Sequence, residues 1–275
     1  MSAVPPRHIM VASDASPYSA GAVRVAIDMV RQYGGRLTAM SMVPFADDLE
    51  AVGTGALLAE QDRLVQSHLD DVVQQAAAAG VPCATVLCHG ELPHAEIAAV
   101  AEEAEVDLIV MGRRGKRGLA HLMVGDATAR VIAHAAANVL VVPRDSGLWC
   151  RRLLLATDGA EHSAAAVDAA IGLAQAWRLP LTVVHAVAAG LDMSSAEATV
   201  AAICRRAAVL EIDCEARVEA GRADAVIAAV ARECGADLIV VGSHGHSGIM
   251  SVIHGSVSAQ VIGAASCPVL VARGL

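Results

Sequence analysis

The stretch IAAVAEEAEVDLIVMGRRG (residues 97–115) returns as IAAVARECGADLIVVGSHG (residues 227–245), and this repetition decides the fold. These two copies start 130 positions apart, at Ile97 and Ile227. An earlier pair, HIMVASDAS from His8 and RLLLATDGA from Arg152, starts 144 positions apart. Self-similarity over so much of a chain indicates a tandem duplication, whose first copy is longer after its second strand.

Each copy alternates short apolar runs with helical patterns. The runs LIVM and LIVV are continuous, which is typical of strands covered by helices on both faces. Five strands alternating with helices predict two tandem, doubly wound, mostly parallel α/β domains. Pro143–Gly147 (PRDSG) is the predicted linker, which gives domains at residues 1–147 and 148–275. Ser16 before Pro17 is a helix-start signal, so the first helix is expected over residues 17–33.

Composition excludes several classes of function. Apolar residues make up 55% of the 275 residues and the net charge is -9, which disfavours both disorder and a general nucleic-acid binder. The longest uncharged stretch, Leu238 to Ala272, is broken by five Gly and Pro268, so no membrane insertion is expected. The N-terminus lacks the order of a signal peptide, which favours the cytoplasm. The seven Cys form no C-x-x-C pair and are expected to be free thiols.

Ligands of doubly wound sheets bind beyond the carboxyl ends of the strands, so the loops there are the candidate site. Asp14 and Asp158 follow the first strand of each copy. After the fourth strand come glycines at one repeated spacing: Gly112, Gly115 and Gly125, then Gly242, Gly245 and Gly255. Glycines let backbone approach a ligand, and a helix beginning after Gly255 offers free N–H groups to a phosphate. The alternative is that the glycines shape a turn and Ser256 caps the helix.

With these motifs the chain resembles the universal stress protein family. GSHGHSGIMSVIHGS fits its pattern G-x-x-G, nine residues, then G-[ST], and LLLATDG fits its first-strand Asp motif. The resemblance implies ATP, with Mg²⁺ held mostly by phosphate and water oxygens, and domains paired through their last strands. It implies that Ala156 and Asp158 lie against the ribose and adenine. The implied base pocket and phosphate cradle are Ala186, Val241, Gly242, Gly245, Gly255, Ser256, Val257 and Ser258.

The first copy has a degenerate version of this motif. It keeps the equivalent positions Ala12, Asp14, Met42, Met111, Gly112, Gly115 and Gly125. Asp126, however, stands where Ser or Thr belongs. Like charges about 4 Å apart repel by up to ~4 kcal/mol at an effective dielectric of ~20, so the first copy is expected to bind ATP more weakly. Four basic residues could offset the repulsion or form a solvated loop: Arg113, Arg114, Lys116 and Arg117.

No catalytic set or metal site is nominated. His244, His246 and His254 share one loop without a Cys or carboxylate to complete a zinc site. The resemblance therefore implies a cytoplasmic universal stress protein that binds ATP, regulates a stress response and forms a homodimer, with its protein partner unknown. A slow ATPase or other phosphoryl-transfer enzyme at the same site, and a ligand-free scaffold, are the alternatives.

Overall fold

The computed structural model describes residues 6–44, 54–113, 124–243 and 257–273. The first half contains β1 (His8–Ala12), α1 (Ala20–Tyr33), β2 (Arg36–Pro44), α2 (Thr54–Ala78), β3 (Cys83–Gly90), α3 (Pro93–Glu103), β4 (Leu108–Gly112), α4 (Asp126–His134) and β5 (Asn138–Val142). The second contains β6 (Leu153–Ala156), α5 (Ala164–Trp177), β7 (Leu181–Val187), α6 (Ser194–Val209), β8 (Cys214–Ala220), α7 (Ala223–Glu233), β9 (Leu238–Gly242), α8 (Val257–Ala264) and β10 (Val269–Ala272). A short 3-10 helix, Glu161–Ser163, precedes α5.

The ten strands form one continuous sheet in the order β3-β2-β1-β4-β5-β10-β9-β6-β7-β8. Within each half the strands are parallel, and the halves meet where β5 and β10 pair antiparallel. Leu140 lies opposite Leu270 at the centre of this pairing. The doubly wound α/β fold and the pairing through the last strands are thus confirmed, and the two halves are related by a pseudo-two-fold axis at the β5–β10 junction.

Two apolar cores sandwich the sheet, and each extends through both halves. One face packs against α1, α2, α5 and α6, and the other against α3, α4, α7 and α8. Alternate residues of a strand point to opposite faces, so Leu140 and Leu270 join the first core while Val139 and Val271 join the second. Burying each such side chain contributes roughly 1.5–3 kcal/mol. The continuous apolar runs of the strands are explained by this two-sided burial.

The start of α1 differs from its prediction. The helix begins at Ala20 rather than Pro17, because residues before it form a turn. Ala15 adopts a left-handed φ of 59°, and the backbone N–H and hydroxyl of Ser19 both donate to the carbonyl of Ser16. The Ser-Pro signal therefore marks this turn, one turn of chain ahead of the helix.

The expectation of seven free thiols is wrong at two positions. Cys204 of α6 and Cys214 of β8 form a disulfide, with their Cα atoms 5.4 Å apart. That separation is typical of bridged cysteines, and it arises because α6 packs directly on β8. The five other cysteines are free. Sequence spacing alone does not show which helix and strand come together.

The linker between the halves lies against α1. A Cβ atom on Gly21 would come within 2.6 Å of the carbonyl oxygen of Arg144, so only glycine permits this approach. The Arg24 guanidinium donates to the carbonyls of Arg144 and Ser146, each at 3.0 Å.

Beyond the linker, three aromatic rings pack between the halves. Tyr33 at the end of α1 stacks on Trp177 at the end of α5, and the buried Trp149 lies 5.0 Å from Trp177 between ring centroids.

Among the helices whose residues the structure describes, none is long and apolar enough to span a bilayer.

Candidate functional site

The turn after β6 holds Asp158 in a fixed orientation. Its Oδ1 accepts a hydrogen bond from the backbone N–H of Ala160 at 3.1 Å, and its Oδ2 lies 3.1 Å from Nε2 of His162. The Asp158 side chain is 33% exposed, so part of it is accessible to solvent. Two neighbouring hydroxyls, of Thr157 and Ser163, are hydrogen-bonded to each other at 2.9 Å beneath it.

The turn after β1 repeats this arrangement. Asp14 Oδ1 accepts from the backbone N–H of Ser16 at 3.0 Å, and the Ser13 hydroxyl donates to the Ser19 hydroxyl at 2.9 Å. Tyr18 stands where the second half has His162, four residues after the aspartate. The two turns therefore carry different side chains four residues after the aspartate.

The residues expected to line the base lie at the carboxyl ends of adjacent strands. In the second half β6 lies between β7 and β9, which brings together the strands that carry Ala156, Ala186 and Val241. Ala156 and Val241 are buried and Ala186 is half-buried. The short 3-10 helix that follows Asp158 contacts β9, so the aspartate turn lies beside the fourth strand of this half. The equivalent positions of the first half are arranged in the same way, with half-buried Met42 beside buried Ala12 and Met111.

The end of β4 shows why a glycine is needed there. A Cβ atom on Gly112 would approach the carbonyl oxygen of Tyr18 to 2.6 Å. The carbonyl of Arg113 accepts from the N–H of Gly125 at 2.9 Å, which closes the loop between β4 and α4 at its base. The Thr128 hydroxyl donates to the carbonyl of Gly112 at 3.1 Å and anchors α4 to β4.

In the second half only part of the phosphate loop can be described. Gly242 ends β9, Val257 opens α8 with an exposed side chain, and Ser258 is buried at the position equivalent to Thr128. That equivalence predicts a hydroxyl contact to the end of β9 for Ser258. The other predicted phosphate residues lie outside the described residues: Gly115, Gly245, Gly255 and Ser256.

Charge differs between the two helix starts. Asp126 begins α4 and pairs with Arg130 one turn later, Oδ2 to Nε at 3.0 Å, with both side chains more than half exposed. The imidazoles of His94 and His134 stand nearby, and burial together with the positive charges of Arg130 and His134 lowers the pKa of His94. In the second half Gln260 replaces Arg130 and Ser256 replaces Asp126. The first half therefore presents a carboxylate where the second presents a hydroxyl.

Two arginines cross between the halves, and neither contact is recognisable from the sequence pattern. Arg113, beside Gly112, reaches the end of α8 in the other half, where its Nη1 donates to the carbonyl of Ala265 at 2.9 Å. Arg273, after β10, donates in the other direction, from Nη2 to the carbonyl of Ile132 in α4 at 2.7 Å. Burial lowers the pKa of the Arg273 guanidinium. Each helix at a candidate phosphate site is thus held at its far end by an arginine of the opposite half.

The described ranges contain no group of three or more His, Cys, Asp or Glu side chains able to hold a metal ion. His244, His246 and His254 lie outside those ranges. The metal that the resemblance implies is Mg²⁺ bound with ATP, and such an ion takes one or two carboxylates plus phosphate oxygens.

Fold and site together define a class of protein: a fused pair of doubly wound α/β halves, each with an aspartate turn at the carboxyl edge of its sheet and a repeated glycine motif in its sequence. The family model described as "Universal stress protein family" matches twice, at residues 6–143 and 150–273. The chain belongs to this family.

Relatives and solved structures agree with that assignment. A universal stress protein of Methanocaldococcus jannaschii is 34% identical over 142 residues, which cover 50% of this chain and 82% of the relative. One from Mycobacterium tuberculosis is 30% identical over 186 residues, 62% of each chain. The crystal structure of a universal stress protein from Archaeoglobus fulgidus superposes with a TM-score of 0.82 over 97% of this chain and 96% of that one, at 21% identity, and shows the shared fold.

Proposed function

We propose that this chain is a cytoplasmic stress-response regulator that binds ATP, with Mg²⁺, at the carboxyl edge of its second half. One observation carries the proposal: the Asp158 carboxylate is oriented by Ala160 and His162 and is one-third exposed. It follows β6, whose last residue is Ala156, and β6 lies beside β9, which carries Val241. An ordered carboxylate beside an apolar floor suits a nucleoside, whose base is flat and whose ribose carries hydroxyl donors.

The phosphates belong, on this proposal, at the start of α8. Backbone N–H groups at a helix start are unsatisfied, and the positive end of the helix dipole attracts anions. Val257 and Ser258 supply the first such groups in the described part of α8, and Ser256 would add a hydroxyl. Mg²⁺ would be held chiefly by phosphate and water oxygens and would screen the phosphate charge.

The division into domains at residues 1–147 and 148–275 is part of the same proposal. The buried Trp149 supports it, because its ring packs on Trp177 of the second half. The cytoplasmic location is also part of the proposal. The Cys204–Cys214 disulfide is uncommon in such a compartment, so thiol counting on protein trapped in fresh lysate would test the location directly.

The experiment is calorimetric titration of Mg-ATP into wild type, Asp158→Ala and the matched control Asp14→Ala. Losing a hydrogen bond to a charged group costs roughly 1.5–3 kcal/mol, which is about 10- to 150-fold in affinity. Asp158→Ala should lose that much for the tighter site, whereas Asp14→Ala should leave it unchanged. No heat of binding in the wild type, or equal losses in both variants, would contradict the proposal.

Two further measurements separate the alternatives. Mass spectrometry of the supernatant after denaturation identifies any adenine nucleotide that co-purifies. Phosphate release from the same samples tests the slow ATPase, which requires turnover in proportion to protein that disappears in Asp158→Ala.

A further inference from the structure

A cavity of about 870 Å³ lies between the two halves. Its lining includes Leu140 of β5 and Leu270 of β10, which face each other in the antiparallel pairing, together with Met29 of α1 and Leu173 of α5. Its volume is within the range of small-molecule sites, which are mostly apolar with a few polar groups. None of the candidate nucleotide residues that the structure describes lines this cavity. It is therefore separate from the proposed nucleotide site.

The cavity is elongated along α5. Five residues on one stripe of this helix line it: Ala165, Asp168, Ala169, Leu173 and Trp177. At the rise of an α-helix, the distance from the first to the last of them is roughly 18 Å. An extended apolar chain fits such a shape better than a compact molecule does.

One end of the cavity is aromatic. Trp177 ends α5, and the buried Trp149 precedes β6 with its ring 5.0 Å from that of Trp177. The N–H of Cys150 donates to Asp237, just before β9, so this end lies near the amino ends of β6 and β9. The chain has two tryptophans, and both line this end.

The opposite end holds a cation that lacks an anion. Arg273 follows β10, which runs parallel to β9, so it lies at the carboxyl ends of these strands. Its backbone N–H donates to Oδ1 of Asn138, and its Nη2 donates to the carbonyl of Ile132. Among the described residues nothing accepts a hydrogen bond from its shielded Nε. Burial lowers the pKa of this guanidinium, and no carboxylate raises it. Charged groups removed from water are normally paired, so an anion is missing here.

The acidic residues of the lining do not fill this role. Asp107 accepts from the backbone N–H groups of Arg7 and His8, both at 2.8 Å, and Asp168 pairs with Arg206 at 2.6 Å. Two further lining carboxylates are exposed to solvent, which screens their charge: Glu102 and Glu105.

We propose that this cavity binds an unbranched carboxylic acid of medium chain length, with its carboxylate on the Arg273 guanidinium and its alkyl chain directed towards Trp149 and Trp177. The pseudo-two-fold axis shows why one orientation is favoured. Because Leu140 pairs with Leu270, the position equivalent to Arg273 in the first half is Pro143. Proline has no cation for a carboxylate, so the binding site is polar at one end.

The first test is calorimetric titration of the full chain with three ligands of equal chain length: decanoate, 1-decanol and decylamine. Wild type should bind decanoate with a Kd below roughly 1 mM. It should bind decanol at least roughly tenfold more weakly, because the charged hydrogen bond is lost. Decylamine should bind most weakly, because its ammonium would approach Arg273.

Arg273→Met keeps the apolar stem and removes the guanidinium. This variant should bind decanoate no better than decanol while its decanol affinity stays unchanged, which general loosening of the cavity would not produce. The matched control is Arg24→Met, because Arg24 also donates to backbone carbonyls but does not line the cavity. Its affinities should equal those of wild type. Circular dichroism checks the folding of both variants.

Three results overturn the proposal. They are a decanoate Kd above roughly 1 mM, wild-type affinity for decanol or decylamine as high as for decanoate, and an Arg273→Met variant that keeps the wild-type preference for decanoate.

Tryptophan fluorescence of the wild type tests the orientation without any variant. Bromine quenches indole emission on close approach, and both tryptophans of the chain lie at the aromatic end. At equal occupancy, 10-bromodecanoate should therefore quench the emission more strongly than 2-bromodecanoate, whose bromine is next to the carboxylate. Equal quenching or the reverse order overturns the proposal. No nucleotide is present in either measurement, so a failure here is distinguishable from a failure of the proposed nucleotide site.

Discussion

Replacing Arg113 with methionine tests whether the two halves stabilise each other through the contact between the end of β4 and the end of α8. The Arg113 side chain leaves the end of β4 in the first half and reaches the end of α8 in the second. Its Nη1 lies 2.9 Å from the carbonyl of Ala265 and 3.5 Å from those of Ile262 and Gly263. Methionine keeps much of the apolar stem and removes the guanidinium.

The magnitude follows from these contacts. A hydrogen bond from a charged donor is worth roughly 1.5–3 kcal/mol, and a cation at a helix C-terminus adds about 0.3–1 kcal/mol. Only the 2.9 Å contact is short enough to count fully, and Arg113 is half-buried. We therefore expect Arg113→Met to lower the free energy of unfolding by about 2 kcal/mol. Arg113→Lys keeps the charge and should recover about half of that loss.

The assay is urea unfolding followed by circular dichroism at 222 nm, with Arg144→Met as the control. Arg144 is a linker arginine whose side chain is 58% exposed and whose nearest carboxylate, on Asp145, is 3.9 Å away. Its replacement should change stability by less than about 0.5 kcal/mol. A loss below that value for Arg113→Met, or no recovery in Arg113→Lys, would refute the reasoning. Mg-ATP affinity of the second half should fall in Arg113→Met if α8 also shifts.

Three further outcomes are expected. Replacing Cys204 and Cys214 with serine should cost roughly 3 kcal/mol of stability, since the bridge closes a loop of ten residues, and dithiothreitol should abolish the difference from wild type. Burial, and to a lesser extent the negative charge of Asp237, raises the pKa of the Cys267 thiol to about 12. The stability that the protonated thiol contributes is therefore complete below about pH 9 and is lost as pH rises towards 12. Cys267→Ala should flatten that alkaline decline in urea titrations, and an unchanged slope would contradict the assignment. Asp126→Ser, made in the Asp158→Ala background, should raise ATP affinity of the first half roughly fivefold by calorimetry, and a decrease would mean that Asp126 supports binding.

Local chemistry made most of the fold predictable. A strand covered on both faces leaves an unbroken apolar run, and the runs LIVM and LIVV, which predict strands, form β4 and β9. The start of α1 was misplaced because Ser16 and Pro17 also suit a turn, and only the contacts of Ser19 decide between the two. The disulfide depends on which helix covers which strand, and that is a property of the packed structure.

The candidate site was predictable in its backbone but less so in its charges. Repetition placed Asp14 and Asp158 in equivalent turns, and both turns have the hydrogen bonds of ordered carboxylates. The contact of His162 with Asp158 could have been found from their spacing of four residues. Arg113 stands in a basic loop sequence, and its contact with Ala265 depends on how the two halves meet. The local sequence around Arg113 therefore does not predict this contact.

Pairing of β5 with β10 inside one polypeptide changes how the two halves can evolve. If two separate chains formed this contact, association would depend on their concentration, and every mutation would enter both copies at once. Covalent linkage makes the contact intramolecular, at an effective concentration of millimolar order for a short connection, so the pair persists even when the chain is dilute. Each half is then free to change by itself. Asp126 in one half and Ser256 in the other are such a change. One gene therefore encodes a pair of different halves that always occur in a one-to-one ratio.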